Sequence, residues 1–282
     1  MTTKENIYKG EIKKEILPYD DYLNRAEIVR QINDQELLFD ISKNEPNPYV
    51  RQRIIENLYD QQALIYLASN DNDYLIRLHA VKKINDNKIL FSIALNPDED
   101  YYICKEALSL ISDQQMLADI INESNTKEIK CAAICYIKDQ RILADIAKNS
   151  PEFYIRAFVL KKITDQKTLQ YIAISDKDYF VRATAVKQIT CQKALEYIAF
   201  SDEDYYVRKE AVLKLEDQET LAKIIQFDKD ILVRNIAIIN INRIEILKDL
   251  LNHTDDSYLR YMIKEKLENS EFKKCPKKIE HK

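Results

Sequence analysis

DKDYFVRATAVKQITCQKALEYIAFS (residues 176–201) is followed directly by DEDYYVRKEAVLKLEDQETLAKIIQF (202–227), and the two stretches carry one pattern. Each has an acidic turn, two aromatic residues, a Val-Arg pair, an apolar series and a second apolar series introduced by a Gln. With the Arg as anchor, the same register holds at Arg25, Arg51, Arg77, Cys104, Lys130, Arg156, Arg182, Arg208, Arg234 and Arg260. The steps are 26, 26 and 27 residues, then 26 throughout, and the one extra residue falls near Pro97. Self-similarity at such a fixed period marks a repeat architecture.

Each repeat contains two helical patterns. With the anchor as position zero, positions −1, +3, +4 and +7 are apolar, as in Val181, Ala185, Val186 and Ile189. At about 100° per residue these share one face, so the segment reads as an amphipathic helix. Nine residues after the anchor stands an Asp, usually followed by Gln: Asp34, Asp60, Asp86, Asp113, Asp139, Asp165 and Asp217. Apolar residues four and seven further on (Leu169 and Ile172, Leu195 and Ile198) make a second helix with the Asp as its N-cap. Asp or Ser at −6 (Asp71, Ser124, Asp176, Asp202) is expected to cap the anchor helix in the same way. Pro46, Pro48, Pro97 and Pro151 punctuate the link between the two. Neither helix is long enough to stand alone, so each buries its face against neighbours. The expected fold is all-α, an α-solenoid of about ten two-helix repeats.

The stretch SDEDYYVRKEAVLKL (201–215), with its turn Asp and helix Arg, resembles the second helix of a HEAT-like repeat. The 26-residue period also resembles short variant-repeat solenoids in which one helix is abbreviated. The resemblance covers residues 19–269 and implies a right-handed superhelix that serves as a protein-binding scaffold, with the second helix lining the concave surface. It implies no reaction, and it leaves open whether the Asp-Gln helix is α or partly 3₁₀. Residues 1–18 are expected to form an N-terminal capping helix and 270–282 a basic mobile tail.

Composition narrows the function. One glycine, Gly10, in 282 residues argues against Rossmann units, P-loops and hairpin-rich folds. Lys and Arg number 43 against 47 Asp and Glu, a net charge of −4, which does not suit a general polyanion binder. Five dispersed cysteines do not form a secreted disulfide framework, no signal-like leader opens the chain, and no apolar run reaches membrane length. The expectation is a cytoplasmic protein. The three histidines lie near no nucleophile or acid–base partner, so no catalytic residue, cofactor or metal is assigned and the chain is expected not to be an enzyme. Cys131 and Cys135 have a spacing suited to two metal ligands but sit among Ala132, Ala133 and Ile134, which favours small packing residues.

The anchor arginines fall at the edge of the apolar sector, where they would tie repeats together through carbonyls and a neighbouring Asp. Opposite that sector lie positions −2, +2 and +5. They supply the expected partner-binding residues: Tyr102, Tyr154, Phe158, Lys161, Phe180, Lys187, Tyr206 and Leu232. Rings beside lysines suit protein contacts. Position −3 (Tyr22, Tyr74, Tyr101, Phe153, Tyr179, Tyr205) makes a second aromatic row, and one row is expected to pack while the other is exposed. The alternative occupant of the same groove is a nucleic acid, stacked on the rings, against which the acidic balance speaks. The ninth repeat differs in being apolar outward as well, at Leu232, Ile236 and Ile239. Its cover would be a protein partner, a second copy of the chain forming a homodimer, or the C-terminal segment through Phe272 and Ile279.

Overall fold

The computed structural model describes residues 21–274. Among them are nineteen helices and no strand, alternating between ten anchor helices and nine Asp-Gln helices. Most run eight to ten residues, and the last, Ser257–Lys274, extends five residues past Asn269 into the segment expected to be tail. The expected capping helix over 1–18 and residues 275–282 lie outside the described residues. The chain divides into two compact units, Met1–Ile142 and Leu143–Lys282. Each is a regular stack in which an Asp-Gln helix packs on the anchor helix that follows it, and helices of one kind pack on the next of their kind. This is the architecture of an α-solenoid.

Local chemistry explains where the helices start and stop. Asp34, Asp60, Asp86, Asp113, Asp165 and Asp217 each accept from a backbone N–H in the first turn of the Asp-Gln helix. Where Cys191 and Arg243 replace the Asp, no side-chain cap forms. The anchor helices are capped differently from expectation. The cap is the residue at −4, as at Asp73, Asp100, Asp178, Asp204 and Asp230. The −6 carboxylate lies one turn further back, where it receives the −4 backbone N–H, as Asp176 does from Asp178 and Asp202 from Asp204. The Asp-Gln helices are α throughout, so the abbreviation suspected there does not occur. The tightening occurs at the ends of anchor helices, where Gln188 and Ile189 donate to Ala185 and Val186 in 3₁₀ fashion.

The apolar positions form the core as their spacing predicts. Val181, Ala185, Val186 and Ile189 are fully buried, and so are Leu195, Ile198 and Ala199 from the following helix. Burying each large aliphatic side chain contributes about 1.5–3 kcal/mol. Within each unit, most successive anchor helices touch more extensively than successive Asp-Gln helices. The stack is therefore tighter on the anchor side, which makes that side the inner one of each run.

Three sets of polar contacts lock neighbouring repeats. The first is an arginine clamp. Arg182 makes a bidentate pair with Asp202, twenty residues on, at 2.8 and 2.9 Å, and donates through Nη1 to the carbonyl of Asp176 in its own turn. Arg51 with Asp71, Arg156 with Asp176 and Arg208 with Asp228 repeat this geometry. Arg25 grips Glu45, and Arg77 reaches Glu99 across the turn that holds the extra residue. The second is a glutamine staple. The side chain of Gln192 donates to the Lys214 carbonyl and accepts from the Glu216 amide, so it completes the next repeat's bend. Gln61, Gln166 and Gln35 do the same, and this accounts for the Gln after the capping Asp. The third contact comes from position +6. Lys83 and Lys214 put their ammonium groups on the last carbonyls of the preceding anchor helix, and Asn57 and Asn240 use amides. Those carbonyls lack helical partners and carry the negative end of the dipole.

The clamp is interrupted at Cys104, whose Sγ faces the Ile93 carbonyl at 3.5 Å. Twenty residues on, the register position of the carboxylate holds Ser124, also buried. Both charges are thus missing together, which avoids an unpaired buried ion. Introducing Cys104→Arg alone should cost about 3 kcal/mol, since a buried charge without its partner is penalised on that scale. Adding Ser124→Asp should recover most of the loss, as a double-mutant cycle on denaturation midpoints would show. A second expectation concerns acid. Hydrogen bonds from Thr168 and Thr220 hold the carboxyls of Asp165 and Asp217 below the usual range. A depressed folded-state value means these caps stabilise above the unfolded value of about 3.9 and lose that contribution as pH falls through the folded value. The melting temperature should therefore drop on acidification below about pH 4, and less so after Asp165→Asn with Asp217→Asn.

Candidate functional site

In the C-terminal unit the first turns of the anchor helices place rings of successive repeats against one another. Phe153 meets Tyr154 of its own repeat edge-on at 6.1 Å and Phe180 of the next at 6.5 Å. Tyr179 meets Tyr206 in the same way at 6.4 Å. The −3 ring of one repeat thus leans on the −2 ring of the next, and the two rows form one ribbon. The N-terminal unit has the same contact between Tyr22 and Tyr49. This corrects the expectation of one packed and one exposed row. Members of both are exposed, among them Phe153, Tyr179 and Tyr205 at −3 and Phe180 at −2, whereas Tyr154 and Tyr206 are half-buried. The reason is geometric, because rings in the first turn of the anchor helix meet mainly one another, within a repeat and diagonally across repeats.

Lysines border this ribbon. The Lys161 ammonium lies 5.5 Å from the centre of the half-buried Phe158 ring. Lys187 sits 3.5 Å from the Tyr206 hydroxyl and 3.9 Å from Glu210. Lys209 lies over the Tyr206 ring at 4.3 Å and beside Glu210 at 3.6 Å. Glu210 is therefore a nearly buried carboxylate held between two ammonium groups. In the ninth repeat Leu232 is 50% exposed and Ile239 55%, while Ile236 is half-buried. The described residues of the C-terminal unit leave Leu232 and Ile239 in solvent, and the cover through Phe272 and Ile279 falls outside the described side chains. Tyr102, 67% exposed, belongs to the N-terminal unit, where it meets Tyr101 edge-on. The other nine expected contact residues share the C-terminal unit.

A second stripe was not anticipated. On the Asp-Gln helices Tyr171, Ile174, Tyr197, Phe200 and Phe227 are exposed, and Lys148 lies 5.3 Å from the Tyr171 ring. Tyr171 and Tyr197 share position +15, and Ile174 and Phe200 share +18, a periodicity visible in the sequence once the helix is known to present that face outward. Cys104 is buried and Cys131 half-buried, but Cys135 and Cys191 are exposed, so the expected packing role fails at Cys135. Burial, with help from Glu99 and Asp100, pushes Cys104 up to about 11. Burial also raises Cys131, and Cys135 Sγ donates to the Cys131 carbonyl at 3.3 Å. Among the described residues no group of three or more His, Cys, Asp and Glu side chains converges on a metal-sized site. No helix of the described residues is long and apolar enough to cross a membrane.

No family model matches the chain. No curated protein matches it either. A solved structure described as "Computational Design of Self-Assembling Cyclic Protein Homooligomers" is similar at 15% identity over 96% of this chain and 92% of its own, with a TM-score of 0.12. At that score the likeness carries no argument, and the helical repeat rests on this chain's own residues.

Proposed function

We propose that this chain is a non-enzymatic protein-binding scaffold of the HEAT-like kind, working in the cytoplasm and docking a protein partner on the inner face of its anchor helices. The observation that carries the reading is the ribbon of edge-to-face rings in the C-terminal unit. Such rings offer a large contact area that is already ordered, so a partner meets a small entropic cost on binding. The rings touch one another across repeats but leave Phe153, Tyr179, Phe180 and Tyr205 exposed. The cytoplasmic assignment rests on the five dispersed cysteines, an odd number without the spacing of a disulfide framework.

A nucleic acid is less well served by this face. Its lysines are partly engaged, Lys187 and Lys209 by Glu210 and Lys161 by the Phe158 ring. Tyr154→Ala with Phe180→Ala should weaken capture of the native partner, isolated by affinity pull-down, by about 2 kcal/mol or more. The melting temperature should change little. Binding should fall only gently with salt, whereas a nucleic-acid ligand would show a steep inverse dependence. Loss of stability without loss of binding would make the rings packing elements and defeat the proposal.

A further inference from the structure

Two columns of the inner face change chemistry along the C-terminal unit, at successive repeats, beside a third that is mixed. Column +5 reads Lys161, Lys187, Leu213, Ile239 over repeats six to nine. Column −2 reads Tyr154, Phe180, Tyr206, Leu232, and column +2 reads Phe158, Thr184, Glu210, Ile236. Repeat six is therefore aromatic and cationic, repeat eight is mixed with Tyr206, Glu210 and Leu213, and repeat nine is aliphatic. A lysine at +5 has a local reason, since it ends the anchor helix, where the dipole favours a cation. Leu213 ends its helix at the equivalent place and is 46% exposed, and Ile239 is more exposed still. Neither gains anything there from water or from the dipole. Both line one open depression together with the buried Ile189 and Leu215 and with polar groups that include Lys214, Glu216 and Asn240. At the opposite end Lys161 is exposed, and the described residues give its ammonium a ring but no carboxylate.

We infer that the inner face of the C-terminal unit takes a peptide segment of fixed direction, with carboxylates at repeats six and seven and aliphatic side chains from Leu213 to repeat nine. The inference rests on the scaffold reading and specifies its ligand. Charge complementarity selects the acidic end, because Lys161 and Lys187 supply two ammonium groups and Glu210 removes only part of that charge. The same Glu210 opposes an acidic residue further along, which limits the carboxylates to one end. With repeats about 8–10 Å apart, four of them span about 30 Å. An extended segment covers that distance with about ten residues.

The test uses the full chain as bait for a displayed library of random twelve-residue peptides. Enriched sequences should carry Asp or Glu in one half and Leu, Ile, Val or Met in the other, always in the same order. Lys161→Glu with Lys187→Glu, both at exposed positions, should weaken the best synthetic peptide at least about tenfold. Selection on that variant should then favour Lys or Arg in the formerly acidic half. Ile239→Lys should weaken the same peptide without altering the preference for acid. Circular dichroism and melting of each variant establish that it folds. Peptides that depend on Tyr154 and Phe180 but have no acidic half, or ignore the charge reversal, would leave the scaffold reading standing and overturn the directional ligand. Enrichment of no peptide, or a dimer in sedimentation that Ile239→Lys dissociates, would overturn it as well, the second by showing that another copy of the chain occupies the face.

Discussion

A guanidinium that holds its own turn and the next turn at once sets the spacing of this molecule. Arg182 reaches back to the Asp176 carbonyl and forward to the Asp202 carboxylate, and Asp202 in turn receives the amide of Asp204, which caps the following helix. Each repeat thus defines where its successor begins. The side chains of the Arg156–Asp176 and Arg208–Asp228 pairs are almost fully buried, so the contact is screened little and its geometry matters. Pairs of this sort add little net stability compared with apolar substitutes, but separating the partners leaves a buried charge and is costly. For helices of eight to ten residues, which have no stability of their own, that cost is what makes a regular stack out of a sticky one.

The other contacts divide the work by location. Glutamine staples sit at the bend after each anchor helix, and the +6 lysines and asparagines cover the last carbonyls of the helix before. Clamps, staples and caps all lie at helix ends and turns. The faces between them need only apolar residues at −1, +3, +4 and +7. Positions −2, +2 and +5 carry only secondary contacts such as ring pairs and helix-end cations, which is why they can run from aromatic and cationic at repeat six to aliphatic at repeat nine while the backbone repeats unchanged. A face that varies on a frame that does not is the physical basis for assigning recognition to it.

Much of the frame was legible from spacing. The 26-residue period, the core positions and the Asp caps of the second helices all depend on partners within one turn, and a local partner leaves its mark at fixed short separation. The cap of the anchor helix lies two residues from the expected position, because most turns hold two polar residues that suit that role and the neighbouring arginine takes one of them. The glutamine's purpose was invisible for the same reason, since its partners lie 22 to 25 residues away on a different repeat.

By itself the sequence determined that the chain is a helical repeat, which residues face its core and which begin its second helices, since these follow from periodicity and local hydrogen bonding. Only the tertiary structure decided how those helices are offset against their neighbours. That offset assigns Asp202 to Arg182 rather than to its own helix, brings Phe153 onto Phe180 so that two rows become one exposed ribbon, and leaves Tyr171 and Tyr197 outward on the opposite side. Exposure of a ring depends on which atoms of another repeat reach it, and that distance is a property of the stack rather than of any one repeat.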